Sequence, residues 1–158
     1  MSEFYLADMV RQYRPRVVVE LGVGDGAMAE RVMTELAPDG RFVGVNWPSP
    51  PSGDRPERFL YPWLGDPRLT IIYGDTRDPE VVKQVPDGIE LLHVDSTHTA
   101  ECASEEWRLY APKLARGAVV VFDDLNHNDM RQFWDGLCVL GSMKQTILGG
   151  RVGILRAP

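Results

Sequence analysis

A short apolar run followed at once by three glycines constrains this chain more than any other stretch. The run covers residues 17–21, Val-Val-Val-Glu-Leu, and the glycines stand at alternate positions, Gly22, Gly24 and Gly26. A parallel strand that is covered on both faces loses the alternation of apolar and polar residues, so the run predicts a buried strand. Residues 27–36 have helix-forming composition and apolar residues at helical spacing. The free N–H groups and positive dipole end of that helix would face the glycine loop, which suits an anionic group.

The spacing of the loop separates it from two other nucleotide loops. Glu20 precedes Gly22 by two positions, and the glycines read G-x-G-x-G. Dinucleotide-binding loops read G-x-G-x-x-G, which would need a glycine at position 27, where this chain has Ala27. A P-loop would need the sequence G-K-S/T, which this chain lacks. The spacing alone fits both a nucleotide-binding loop and a tight turn, so the rest of the chain has to decide.

Size, composition and charge narrow the class of protein. The chain has 158 residues, of which 44% are hydrophobic and 25% charged, as expected for one domain with a sizeable core. A net charge of −6 disfavours the basic surface that nonspecific nucleic-acid binding needs. Cys102 and Cys138 have neither metal-site nor disulfide spacing. The chain has no apolar run of membrane-spanning length and no signal-like N-terminus, so we expect a cytoplasmic protein without a membrane partner.

The remaining chain alternates predicted strands and helices. Helices are expected near residues 2–13, capped by Ser2, and at 27–36, 79–84, 99–110 and 129–140, with a short helix or turn at 59–64. Strands are expected at 17–21, 41–46, 69–73, 89–94, 118–122, 144–148 and 151–155, the last two joined tightly at Gly149-Gly150. The proline-rich segment 48–56 fits a surface loop better than a mobile lip over a ligand. This order predicts an α/β fold with a doubly wound, mostly parallel seven-stranded sheet, helices on both faces and a C-terminal antiparallel hairpin.

The acid-x-G-x-G-x-G sequence of residues 20–26 resembles the first motif of class I S-adenosylmethionine (SAM)-dependent methyltransferases. In that family the last strand enters the sheet antiparallel to the others, which agrees with the predicted hairpin. The resemblance covers the chain from Ser2 to Arg156. It implies a single minimal methyltransferase domain over residues 1–158, with no separate substrate domain.

Residues suited to bind a ligand concentrate at the carboxyl ends of the predicted strands or directly after them, where ligands bind in open parallel sheets. They are Glu20, Asn46, Trp47, Asp75, Thr76, His93, Asp95, His98, Asp123, Asp124, Asn126 and His127, and they include every histidine of the chain. A solvated surface would have scattered these residues along the chain. The concentration indicates a binding or catalytic site at one edge of the sheet.

The methyltransferase resemblance implies a role in SAM binding for nine residues, namely the three loop glycines and six of the residues just named. Gly22, Gly24 and Gly26 would receive the methionine carboxylate and Glu20 its ammonium group. Asn46 stands where the family normally has an acid that takes both ribose hydroxyls, and Trp47 would cover the adenine face. Asp75, with Thr76 beside it, would accept from the adenine amino group, although Asp75 also fits a turn or helix cap. Asp95 is open to holding the ammonium group or to a catalytic or metal role.

The sequence His93-Val94-Asp95-Ser96-Thr97-His98, with Phe122-Asp123-Asp124 downstream, resembles a branch of O-methyltransferases. That branch is similar to cephalosporin-hydroxylase-like proteins and to enzymes that methylate sugar or macrolide hydroxyls. It implies Mg²⁺ ligands at Asp95, Asp123 or Asp124, but Ser96-Thr97 replaces the Gly-Asp of many relatives, so a metal requirement stays open. His98 is the candidate catalytic base, and Asp95 is a second candidate catalytic residue. The alternative for His98 is a residue at the start of a helix that bonds to the backbone. His93 reads as a core histidine.

The sequence therefore predicts transfer of a methyl group from SAM to a hydroxyl of a small molecule. Two alternatives remain. A SAM-binding protein without methyl transfer would explain Asn46, Ser96 and Thr97, and an NAD-dependent oxidoreductase is disfavoured by the glycine spacing and the hairpin. The expected partner is a small-molecule acceptor rather than a nucleic acid, and a homodimer is an open possibility.

Overall fold

The computed structural model describes residues 5–48 and 55–158. The predicted Ser2 cap and residues 49–54 of the predicted loop lie outside this range. The helices are α1 Tyr5–Tyr13, α2 Ala27–Glu35, α3 Glu57–Leu60, α4 Pro79–Gln84, α5 Ala100–Tyr110 and α6 Met130–Gly136. The strands are β1 Val17–Leu21, β2 Arg41–Asn46, β3 Leu69–Tyr73, β4 Ile89–Val94, β5 Leu114–Phe122, β6 Met143–Ile147 and β7 Val152–Arg156. Within the described ranges no helix is long and apolar enough to cross a membrane.

The strands form one sheet in the order β3-β2-β1-β4-β5-β7-β6. Strands β1 to β5 pair in parallel, whereas β7 lies antiparallel to both β5 and β6. The strand order reverses between β1 and β4, which is where open α/β sheets bind their ligands. The predicted fold class, with its antiparallel C-terminal hairpin, is confirmed.

The apolar run of β1 has a packed layer on each side. Val18 belongs to the core that α1 and α2 cover, while Val19 and Leu21 belong to the core that includes Val81 of α4 and Ala103 of α5. Because successive side chains of a strand point to opposite faces, this division explains why β1 shows no polar alternation.

Strand β5 and helix α6 differ from their predicted bounds. β5 begins at Leu114 instead of Ala118, because Leu114 pairs with Ile89 and the register shifts before Leu91. Gly117, with φ +75°, thus lies inside the strand at this irregularity instead of opening it. The last helix was predicted over 129–140 but ends at Gly136. There Lys144 donates to the terminal carbonyls of Trp134 and Leu137, which satisfies groups that a longer helix would have bonded internally.

The hairpin connection is also longer than the predicted two-residue turn. Leu148–Gly150 form a short 3₁₀ turn before β7 begins at Val152, and the Arg151 amide donates to the Leu148 carbonyl at 3.3 Å. Gly149 and Gly150 adopt positive φ of 67° and 89°, as a tight turn requires, but Leu148 does so too. The extra length brings Arg151 back toward the end of β5.

Candidate functional site

A cavity of about 600 Å³ opens at the carboxyl ends of β1 to β4, at the reversal in strand order. Its size is within the range of small-molecule sites, about 300–1,000 Å³. Eight of the predicted cofactor residues line it: Glu20, Gly22, Gly24, Asn46, Trp47, Asp75, Thr76 and Asp95. Gly26 is not among the lining residues; it immediately precedes α2, and its amide donates to the Val23 carbonyl at 3.0 Å.

The three loop glycines have different reasons to be glycine. All have positive φ, but a Cβ at Gly22 would lie 2.1 Å from the Asp95 carbonyl oxygen, and one at Gly26 2.4 Å from the Pro56 carbonyl oxygen. A Cβ at Gly24 would meet nothing within 4 Å. Gly22 and Gly26 are therefore required for close packing of the protein on itself, whereas Gly24 leaves space at the cavity.

Asn46 connects the end of β2 to the glycine loop. Its side chain is buried, and Oδ1 accepts a hydrogen bond from the Gly24 amide at 3.1 Å. Nδ2 is buried and has no protein partner. The next residue, Trp47, is about half exposed at the cavity edge. Asn46 thus holds the loop with one atom and keeps a donor for a ligand with the other.

At the end of β3, Asp75 is bonded to Arg77. Asp75 Oδ1 accepts from the Arg77 amide at 2.9 Å and from Nε at 3.1 Å, and Oδ2 accepts from Nη2 at 3.0 Å. The hydrogen bonds from Arg77 lower the pKa of Asp75 below its ordinary value. Both carboxylate oxygens therefore have a partner within a turn, which is the alternative that the sequence left open for this residue.

Thr76 and Ser96 face the cavity but give their hydroxyl protons to a buried acid behind it. Both hydroxyls donate to Glu106 Oε1, each at 2.5 Å. Glu106, on α5, is fully buried, and this burial raises the pKa of its carboxyl group. Two hydroxyl oxygens are thereby left at the wall with free lone pairs.

Glu20 and His93 form a buried pair at the floor of the cavity. Their side chains are 1% and 0% exposed, and Glu20 Oε1 lies 2.8 Å from His93 Nδ1. Burial raises the pKa of Glu20, and its hydrogen bond and charge hold the pKa of His93 above its ordinary value despite burial. Oε2 of Glu20 is buried without a protein partner. His93 is thus a core histidine, as predicted, but one that supports a cavity residue.

The negative charge of Asp123, just after β5, is compensated by groups of the protein itself. Oδ2 accepts from the Tyr5 hydroxyl at 2.8 Å, and Oδ1 accepts from the Asp124 amide at 2.7 Å. Arg151 reaches both oxygens, with Nε 3.2 Å from Oδ1 and Nη2 3.3 Å from Oδ2. Burial would raise the pKa of Asp123, but these hydrogen bonds outweigh it and the pKa is lowered.

His98 lies between the ends of β4 and β5. Nε2 is 3.0 Å from Asp95 Oδ1 and 3.7 Å from Asp124 Oδ2, and the ring meets that of His127 edge-on at 5.7 Å. The hydrogen bond to Asp95 raises the pKa of His98 above its ordinary value. His98 does not line the cavity itself, but its partner Asp95 does.

The predicted metal ligands Asp95, Asp123 and Asp124 have different neighbours in the structure. Among the described residues, two groups bring three potential ligand atoms within 4.8 Å of one another: His98, Asp124 and His127, and Glu20, His93 and Asp95. Asp123 belongs to neither group, and Arg151 compensates its charge. A cation that Asp95 shares with Asp123 would have to displace that guanidinium group, which also lies 3.6 Å from Asp124 Oδ1, so a metal at Asp95 with either residue stays a prediction.

Sequence reasoning did not find several contributors. Arg77 lines the cavity, while Glu106, Tyr5 and Arg151 act on lining or neighbouring residues from behind. Arg77 follows the predicted pair Asp75-Thr76 directly, so proximity could have suggested it. Tyr5 read only as part of an apolar helix stripe, and no sequence signal connects it to Asp123, which is 118 residues away.

Comparison with known proteins agrees with the fold and the loop. The family profile described as a methyltransferase domain matches residues 19–125, and the chain belongs to this family. A search of curated proteins finds no match. The class I methyltransferase resemblance of the glycine loop and hairpin is confirmed.

Solved methyltransferases have the same fold at low sequence identity. An SAH-bound methyltransferase from Podospora anserina has a TM-score of 0.77 at 13% identity, over 98% of this chain and 76% of its own. An O-methyltransferase from Bacillus cereus, in complex with SAH, has 0.74 at 14%, over 100% and 82%. An O-methyltransferase from Streptomyces achromogenes involved in tomaymycin synthesis, in complex with SAM, has 0.68 at 18%, over 97% and 77%. (SAH is S-adenosylhomocysteine.)

Proposed function

We propose that the cavity binds SAM and that the protein transfers the methyl group to a hydroxyl of a small molecule. The observation that carries the proposal is a pair of buried, unpartnered polar atoms at the wall, Glu20 Oε2 and Asn46 Nδ2. A buried polar atom without a partner costs free energy, about 1–3 kcal/mol. A ligand that donates to one and accepts from the other relieves that cost.

SAM has groups that match the cavity. Its ammonium group can donate to Glu20 Oε2, and its ribose hydroxyls can accept from Asn46 Nδ2. The space at Gly24 admits the methionine part beside the N-terminus of α2, whose dipole favours a carboxylate. Trp47 can cover the adenine face, since it lines the cavity and is half exposed. The bound SAM and SAH of fold neighbours support the same choice of ligand.

The adenine edge would be recognised beside Asp75 and Thr76. Because Asp75 is already bonded to Arg77, it can accept from the adenine amino group only through a lone pair that Arg77 leaves free. Thr76 gives its proton to Glu106 and can offer a hydroxyl lone pair to the same group. Both residues therefore remain in the proposed cofactor set, with Thr76 as an acceptor.

His98 is the proposed base, with Asp95 as the residue that orients it. Asp95 accepts from Nε2, so a neutral His98 carries its lone pair on Nδ1. Bound SAM would supply an electrophilic methyl group for an acceptor hydroxyl and would leave as SAH. Nδ1 would take the hydroxyl proton, and Asp95 and Asp124 would stabilise the imidazolium that forms.

Further parts of the proposal concern the metal, the domain and the acceptor. Arg151 compensates Asp123, and Mg²⁺ bound at Asp95 or Asp124 stays a prediction. We propose that residues 1–158 act as a single domain. The acceptor would then contact α1, the segment after Asp124, or a second copy of the chain in a homodimer.

Titration calorimetry with SAM, SAH and NAD tests the cofactor assignment. We expect micromolar dissociation constants for SAM and SAH, about −8 kcal/mol at 1 μM, and no heat with NAD. Binding of NAD in place of SAM would contradict the proposal. Detection of SAH formed in the presence of phenol, sugar and macrolide acceptors tests the transfer, and binding without turnover on any acceptor would favour the alternative of a SAM-binding protein.

A further inference from the structure

A continuous line of polar side chains runs from the cavity floor to the β6–β7 connection. Glu20 meets His93 at 2.8 Å, His93 Nε2 meets the Tyr5 hydroxyl at 2.8 Å, and Tyr5 meets Asp123 at 2.8 Å. Arg151 holds Asp123 with two nitrogens. The first four side chains are nearly or fully buried, and only Arg151 is partly exposed. We call this the Glu20–Arg151 line.

The direction of each hydrogen bond follows from the proton inventory. Arg151 is always a cation, so the Asp123 carboxylate beside it acts only as an acceptor. Tyr5 has one proton and gives it to Asp123. The Tyr5 oxygen must then accept from His93 Nε2. Because an ionised Glu20 can only accept, Nδ1 of His93 donates to Glu20 Oε1, and His93 is an imidazolium in this arrangement, in keeping with its raised pKa. Each member has a partner that fixes its orientation.

At the cavity end, the result is a carboxyl group in a fixed rotamer. Oε1 of Glu20 is held by His93, so Oε2 cannot turn away from its position. Oε2 is buried, unpartnered, and belongs to a residue that lines the cavity. An atom of this kind recognises a cationic donor such as an ammonium group.

We propose that Tyr5, His93, Asp123 and Arg151 are positioning residues that hold Glu20 Oε2 at the cavity, where it selects a ligand that carries an ammonium group. This inference rests on the proposed function, since it takes the ammonium group to be that of the methionine part of SAM. It assigns a role in ligand selection to Arg151, which does not line the cavity, and to Tyr5 of α1.

The test compares two ligands that differ in the ammonium group alone, SAH and its deaminated analogue, by titration calorimetry. The wild type should bind SAH at least about tenfold more tightly than the analogue. Tyr5→Phe should weaken SAH binding about tenfold and change analogue binding by less than about twofold. Tyr13→Phe, the same change at an exposed position of α1, should alter neither affinity.

Arg151→Gln tests the line from its exposed end, where loss of folding is not expected. It should weaken SAH binding in the same selective way, and Arg151→Lys, which keeps the positive charge beside Asp123, should restore at least half of the loss. Equal weakening of both ligands would show a merely structural role and overturn the inference, as would unchanged SAH affinity in Tyr5→Phe and Arg151→Gln. Failure of the wild type to bind either ligand would instead refute the proposed function.

Discussion

The glycine-loop end of the cavity and the β5 end of the site differ in how their polar groups are partnered. At the loop, Asn46 and Glu20 each keep one buried atom without a protein partner. After β5, the Asp123 carboxylate accepts from Tyr5, from the Asp124 amide and from Arg151. Unpaired buried polar atoms are costly, and these two belong to residues that line the cavity, where a ligand can complete them. This difference supports the proposal that the loop end binds the ligand while the β5 end supports the site.

His98, at the β4–β5 side, gives the largest expected effect. His98→Gln should lower the rate of methyl transfer about 10²- to 10⁴-fold, because it removes the proposed general base. SAH affinity, measured by calorimetry, should stay within about threefold, since His98 does not line the cavity. A comparable loss of SAH affinity would show that His98 contributes to ligand binding and would contradict its assignment to the chemical step alone.

The pH profile of the wild type checks the same role. A base acts in its neutral form, and Asp95 raises the pKa of His98, so the rate should rise with pH through a midpoint above 6.5. His98→Gln should lack this limb. His127→Gln, which changes the exposed neighbouring histidine, should retain it.

Gly24→Val should prevent ligand binding at the loop end of the cavity. The added side chain would occupy the open space at the cavity, and we expect SAH binding to weaken more than about 100-fold, equivalent to about 2.7 kcal/mol. Gly88→Val is the matched control, because Gly88 also has positive φ and open space around its Cβ position but lies elsewhere. If both variants fold and bind SAH like the wild type, the cavity is not the cofactor site.

Asn46→Asp should strengthen ligand binding at the loop end of the cavity. An aspartate can still accept from the Gly24 amide, and its second oxygen would form charge-assisted hydrogen bonds with ribose hydroxyls. We expect SAH to bind about fivefold more tightly, or about 1 kcal/mol. Calorimetry with 5′-methylthioadenosine, which retains the ribose, should show the same gain; a loss of affinity for both ligands would mean that this side chain does not face the ribose.

Mg²⁺ should have the smallest effect, and it probes the β5 end. With Asp123 compensated by Arg151, we expect only millimolar binding at Asp95 or Asp124, which stabilises the fold by about 0.4 kcal/mol when the concentration equals the dissociation constant. Thermal unfolding across a magnesium titration measures this shift. Arg151→Gln should enlarge it by removing the positive charge beside Asp123 and Asp124, and the double change Asp95→Asn with Asp124→Asn should abolish it in the wild-type background. If the unfolding midpoint of neither the wild type nor Arg151→Gln shifts with magnesium, the prediction of a metal at this site is wrong.

The strand, loop and helix around Gly22 could be read from local sequence because each depends on neighbours in the chain. Apolar β-branched residues make a strand, alternating glycines allow positive φ, and helix formers follow. The order of strands and helices and the C-terminal hairpin could be anticipated in the same way. The end of α6 could not, because Lys144, eight residues beyond Gly136 in the chain, bonds its terminal carbonyls.

The sequence by itself determined the class of fold and the place of the cavity, since periodicity and the loop spacing are local properties. Only the tertiary structure decided how the polar residues at that place are partnered. Thr76 donates to Glu106, 30 residues away, and Asp123 accepts from Arg151, 28 residues away. The same residue types at strand ends can bind a ligand or one another, and the choice follows from three-dimensional distances that no spacing in the chain encodes.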